Sequence, residues 1–251
     1  VDGSKTTEGG GVFLCNREGD SISAKYCLNG KNLKRFLNLI DLDDTEALKE
    51  YKEKLEQNTC NQTNEMSSLA FLLYALRTKP VHIEVYQDFI NIAFRIRRFL
   101  LVEILNLKEF DTKRVKKKWE KISTEDQKQV ITRCNNIIPI EDSNINRCAT
   151  RPPEIGESCD KINKKLVKIV INSSRKIRDN GGSVSHLWIP SVHKDTPANR
   201  NIFVNKLKSK NVQWFKGKSS ELLFERYLDG NLKADNQAQT KDFFSFELYG
   251  H

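Results

Sequence analysis

The sequence has no apolar run of about 18 uncharged residues, no CxxC pair, no HExxH arrangement and no serine nucleophile elbow. The missing apolar run leaves no segment that reads as a bilayer-spanning helix. The missing metal and nucleophile patterns leave zinc hydrolysis and covalent catalysis without recognisable residues. Phosphate loops are absent too. Gly217-Lys218-Ser219 looks like the end of a Walker sequence, but Val212 stands where its first glycine is required, and Gln213-Trp214-Phe215-Lys216 supplies no flexible loop. Gly9-Gly10-Gly11 and Gly181-Gly182 lack the glycine spacing of a dinucleotide fingerprint. No cofactor is therefore expected, and no internal repeat divides the chain.

What the 251 residues do contain is enough apolar material, 38%, and enough charge, 30%, for a soluble domain with a packed core. A chain of this length buries roughly 70–75% of its unfolded surface, so bridges need not replace a core. Six cysteines are nevertheless present: Cys15, Cys27, Cys60, Cys134, Cys148 and Cys159. An even number with no tight Cys/His grouping reads as three structural disulfides formed in an oxidising compartment. Three precede residue 61 and three follow residue 133, so full pairing needs at least one bridge across that divide. The sequons Asn61-Gln62-Thr63 and Asn172-Ser173-Ser174 agree with secretion, because both permit N-glycosylation in the secretory pathway. Val1 opens directly on a polar segment, which reads as a mature chain whose signal peptide has been removed.

Hydrophobic periodicity predicts a mainly all-α, disulfide-stabilised fold around a long central helix, with a short strand or extended C-terminal arm as an option. Residues 1–11 carry three consecutive glycines and little apolar surface, so they read as a flexible leader to a single helical domain over 12–251. Two lobes divided near 139–160 are an alternative organisation. A first helix is expected over 32–40, and Asp43 caps the next one with Glu46 closing a capping box. The competing calcium-loop reading fails because Thr45 and Glu46 stand where an oxygen ligand and glycine belong. Leu69, Leu72, Leu73 and Leu76 share one face of a helix over 63–77, which Pro80 bounds. Tyr86, Phe89, Ile90, Ala93, Ile96, Leu100 and Ile104 then recur at three- and four-residue intervals, the central helix, with Arg95 and Arg98 off the stripe. Further helices are expected over 112–121 and 124–136, from about residue 157, and over 198–207 and 218–227. Val170-Ile171 leaves a short strand open as an alternative. Asn180-Gly181-Gly182-Ser183 is a turn, and Asp242–Leu248 reads as a strand or an extended arm.

Charge is segregated along the chain. The total of 42 Lys and Arg against 33 Asp and Glu gives +9, but residues 1–60 sum to −2 whereas residues 161–218 sum to +12. Lys161, Lys164, Lys165 and Lys168 form a coherent basic face if helical, and Arg175, Lys176 and Arg178 extend it. These seven are the candidate anion-binding residues; a solvated surface is the competing reading. The run Lys113–Lys118 is a second, weaker patch, moderated by Glu109, Asp111 and Glu120. Nucleic acid is disfavoured because no reading module accompanies the charge. An acidic extracellular protein or glycan fits an oxidising compartment better.

His82, His186, His193 and His251 are too few to build a persuasive site, although His186, His193 and Asp195 lie close in sequence. No Asp/Glu pair is singled out, since linear proximity does not establish a substrate-sized gap. The chain is read as not an enzyme. A small-ligand scavenger holding its ligand between helices is the alternative, with a secreted hydrolase behind it.

The polar Gly-containing leader, Cys15, Cys27 and Cys60, the segment Lys79-Pro80-Val81-His82-Ile83-Glu84-Val85 and the later Cys134, Cys148 and Cys159 together carry a resemblance. In this pattern the chain resembles the mosquito 34-kilodalton salivary protein family over most of residues 12–251. The resemblance implies secretion into saliva, a mainly helical disulfide-containing fold and a noncatalytic part in blood feeding or in contact with a host or the feeding apparatus. It transfers no binding residue.

Overall fold

The computed structural model describes residues 2–3, 9–15, 21–27, 49, 61–87, 90–107, 112–137, 160–188, 194–208 and 220–239. Among these, seven helices dominate: α1 Asn61–Leu76, α2 Ile90–Ile104, α3 Thr112–Trp119, α4 Thr124–Ile137, α5 Asp160–Asp179, α6 Pro197–Lys208 and α7 Ser220–Gln239. Five strands accompany them: β1 Asp2–Gly3, β2 Gly9–Cys15, β3 Ser21–Cys27, β4 His82–Gln87 and β5 Ser183–Trp188. The chain is thus mainly α-helical, as its periodicity predicts. It divides into two units, one formed by Val1–Leu69 with Ile189–His251 and the other by Ala70–Trp188. The expected helix over 32–40, the Asp43 cap, Cys60, Cys148, Cys159, the connection over 139–159 and the arm over 242–248 lie outside the described residues.

In the first unit, β1, β2 and β3 form an antiparallel sheet in that order. Gly9, Gly10 and Gly11 stand opposite Cys27, Tyr26 and Lys25. Within the leader expected over 1–11, residues 2–3 and 9–11 are strand, paired through ladder hydrogen bonds, and residues 1 and 4–8 lie outside the described residues. Cys15 faces Ser21 and Cys27 faces Gly9, at opposite ends of this hairpin. Six residues of strand separate them, about 20 Å, so these two cysteines cannot bridge each other. Helix α7 packs against all three strands and against α6. It continues beyond the expected boundary at residue 227 to Gln239, through Gly230, with Phe224 and Ala234 buried. Tertiary packing along its length offsets the roughly 1 kcal/mol that a mid-helix glycine costs. Between the two helices Phe203 meets Phe224 edge-on at 5.5 Å and stacks on Tyr227 at 5.0 Å. Thr196 caps α6 by accepting the Asn199 N–H at 3.2 Å, and Pro197 occupies the first helical position, where a missing N–H costs nothing.

The second unit is built on a parallel pair, β4 beside β5, with His82 opposite Ser183 and Gln87 opposite Trp188. Parallel neighbours require a crossover, and α2 through α5 supply it. This corrects the central helix at its start: Tyr86 lies in β4, and α2 begins only at Ile90. The three- and four-residue spacing from Tyr86 to Ile90 was coincident with the helical period, while His82–Gln87 also fits a strand whose Val85 is buried. Helix α2 packs against α4, α5 and β5. Its buried Ile92, Ile96, Leu100 and Leu101 join Leu166, Val167 and Val170 of α5, Val130 and Cys134 of α4, and Trp119 of α3 in the unit's core. Helix α5 runs straight through Val170 and Ile171, so the strand alternative there is not taken.

Helix ends in this unit are closed locally. The Ser123 hydroxyl accepts the Asp126 N–H at 3.1 Å and donates to the Asp126 carboxylate at 2.7 Å, starting α4. At the end of α2, Asn106 takes φ 51° while the Asn106 and Leu107 N–H groups donate to Glu103 and Val102 carbonyls. The Lys118 ammonium donates to the Leu105 carbonyl. At the end of α5, Gly181 takes φ 85°, its N–H donating to Arg178 at 2.8 Å and the Gly182 N–H to Ile177 at 2.9 Å. That double bond with a left-handed residue is a Schellman cap. Asn180 Nδ2 then donates to the Arg77 carbonyl, and the Ser183 N–H to Val81, tying the turn to the start of β4.

Candidate functional site

Helix α5 carries all seven candidate cations, and the structure sorts them by burial. One face of the helix, Asn163, Leu166, Val167, Ile169, Val170, Ile171, Ser173, Ser174 and Ile177, is buried. On the opposite face Lys164, Lys168, Asn172 and Lys176 are exposed in successive steps of four residues. Each step advances about 6 Å along the axis, so the three lysines form one line about 18 Å long. Among the described residues none of these three enters an ion pair.

The other four cations differ. Arg175 is half-buried and bound to Glu103 of α2, which attaches it to the body of the unit. Arg178 lies 3.8 Å from Asp179. Lys165 is half-buried and has partners of its own. Lys161 belongs to the first turn of α5, and its side chain lies outside the described residues. Among the described side chains, the expected patch thus contains a row of three exposed lysines, with Arg175 bound to Glu103 and Arg178 near Asp179.

Electrostatics sets the scale of what that line does. Two ammonium groups about 6 Å apart in water repel by about 0.7 kcal/mol before salt screening. This is small enough for solvent to absorb, yet the three charges share one exposed row and raise the local anion concentration. Lys176 and Arg178 sit in the last turn, where the helix dipole favours cations. Lys164 sits near the first turn, where the dipole opposes it, and an anion alongside would relieve that opposition. The Lys113–Lys118 run forms α3, where Lys116 pairs with Glu120 at 3.7 Å and Lys118 is used at the end of α2.

Of the trio His186, His193 and Asp195, only Asp195 is described with its side chain. Asp195 is held by Arg200 in a two-point pair, at 2.6 and 2.5 Å, and the Arg200 hydrogen bonds keep its carboxyl below the usual range. The side chain of His186 and the whole of His193 lie outside the described residues. His82 shares a 2.8 Å hydrogen bond with Ser183, a strand-to-strand contact. Among the described residues no group of three His, Cys, Asp or Glu side chains is placed to hold a metal, and no helix is long and apolar enough to cross a membrane.

Two features escaped sequence reasoning. Arg95, Arg97 and Arg98 of α2 are all buried, at 3–4% exposure, where Arg95 and Arg98 were expected off the apolar stripe. Each is held by partners, as a buried guanidinium must be. Cys134 is the second. It is a free thiol buried in α4, which corrects its assignment to a disulfide. Burial pushes the thiol up from 9.0 to about 11; the charges of Arg97 and Arg133 pull the other way, and that of Glu103 adds to the rise. The signal was present in the spacing, since Val130, Cys134 and Ile137 lie on one helical face and a free cysteine behaves as a small apolar side chain. Comparison with protein-family models, with curated proteins and with solved structures finds no match to this chain.

Proposed function

We propose that the chain is a secreted, noncatalytic binding protein that recognises an acidic extracellular macromolecule through the lysine line of α5. The salivary-family resemblance supports a part in blood feeding, with a component of the host or of the feeding apparatus as the partner. One observation carries the reading: Lys164, Lys168 and Lys176 are exposed on one line of a helix whose other face is fixed in the core. Fixing the backbone in advance lowers the ordering cost of binding, and a line of charges suits a linear polyanion.

The test is a salt titration of binding to a sulfated polysaccharide of heparin type. Wild-type protein is expected to lose affinity steeply with salt, and the variant Lys164→Gln/Lys168→Gln/Lys176→Gln to show a log–log slope shallower by about two to three. Its unfolding free energy should stay within about 0.5 kcal/mol of wild type, because exposed lysines with no ion pair among the described residues contribute little to folding. Binding that ignores salt, or that survives the triple substitution unchanged, overturns the reading.

A further inference from the structure

We infer that Asn172 is an N-glycosylation site whose glycan covers the lysine line, so that occupancy of this one site sets whether α5 meets its anionic partner. The inference rests on the binding role proposed above and adds a control to it. Asn172 heads the sequon Asn172-Ser173-Ser174 and is exposed, midway between Lys168 and Lys176 on the same line. Each lysine is one helical step away, about 6 Å along the axis, closer than the reach of even a short branched glycan. Sugar hydroxyls carry no charge to attract a polyanion and exclude it by volume.

The local structure also fixes when the modification happens. Ser173 and Ser174 are buried, and the Ser174 hydroxyl donates to the Val170 carbonyl at 2.7 Å. A folded α5 therefore hides the hydroxyl that a transferase reads, and the sugar is added before this helix forms. In that step the Asn172 amide nitrogen forms a bond to the anomeric carbon of a polyprenyl-diphosphate-linked oligosaccharide. The carbon–oxygen bond to the diphosphate breaks, the lipid diphosphate departs, and the amide loses one proton. Once α5 folds, the linkage faces water and the helix accommodates it without disturbing the core. The other sequon, Asn61, begins α1 rather than belonging to α5, which makes it the comparison site.

The experiment uses the full chain secreted from eukaryotic cells. Peptide mass mapping reads occupancy at each sequon, and a heparin-type polysaccharide is the binding probe. Wild-type protein with Asn172 occupied is expected to bind on the order of tenfold more weakly than Asn172→Gln, since covering one or two contacts removes their counterion release. Asn61→Gln should match wild type. Trimming the wild-type glycan to its first sugar should restore most of the affinity without any substitution, which keeps the test valid if Asn172→Gln folds poorly. An unmodified Asn172 in the secreted protein overturns the inference, as does an occupied form that binds as tightly as the trimmed one; in both cases the binding role stands. Absence of salt-dependent binding by trimmed protein and by Asn172→Gln alike overturns the binding role, and the glycan control falls with it.

Discussion

At the scale of single residues, chemistry is decided by burial more than by identity. Lys168 and Arg175 are both cations on α5, yet one faces water and the other is tied to Glu103. The sequence identified the helix, its basic face and all seven cations, but not which of them are committed to neighbours, because Glu103 is 72 residues away from Arg175. Cys134 shows the same effect in a titrating group. Its folded-state pKa, about 11, lies above the ordinary thiol value of 9.0. The stability it contributes is therefore complete below pH 9 and is lost as pH rises through 11. Wild-type protein is expected to lose about 2–3 kcal/mol of stability across that window in excess of a Cys134→Ala variant, read from denaturant midpoints at pH 8, 9.5 and 11. Equal pH profiles for the two proteins would place the thiol in contact with water.

At the scale of elements, the helices over 61–76, 124–137, 160–179 and 197–208 were legible to within a few residues, because each has an apolar face and most have a local stop or start signal. The strands were not. β4 and β5 meet across 101 positions of sequence, from His82 to Ser183, and a parallel partner at that distance leaves no local mark. The turn at Gly181-Gly182 was legible as a turn, but the reason for two glycines emerges only in three dimensions. Gly181 needs a left-handed backbone and has open space around it. Gly182 has no room: a Cβ there would collide with the Val81 carbonyl oxygen and lie 2.8 Å from Ile177 Cγ2. Gly181→Ala should cost about 1 kcal/mol, and Gly182→Ala about 3 kcal/mol, since backbone rather than a side-chain tip must move. Thermal melts that reverse this order would show that the turn is not docked on Val81.

At the scale of the whole molecule, the cysteines change the covalent picture. With Cys134 free in the core, five of the six cysteines in these 251 residues remain, and five cannot all pair among themselves. The strand register also forbids a bridge between Cys15 and Cys27, so neither completes the other. Non-reducing mass spectrometry after thiol labelling in denaturant should find Cys134 labelled together with a second cysteine, or a disulfide-linked dimer of twice 29.0 kDa. A monomer with three bridges and no label would overturn the free Cys134. The sequence by itself determined the mainly helical class, the basic character of residues 161–218 and the amphipathic α5, because helix formation, net charge and facial polarity all depend on neighbours within a few turns. Only the tertiary structure decided that Gly9–Gly11 form a strand, that Arg95, Arg97, Arg98 and Cys134 lie inside, and that Lys164, Lys168 and Lys176 have no ion-pair partner among the described residues. Each of these depends on which distant segment comes to lie alongside, and ladder pairing, desolvation and ion pairing act only between groups that the folded chain has brought together.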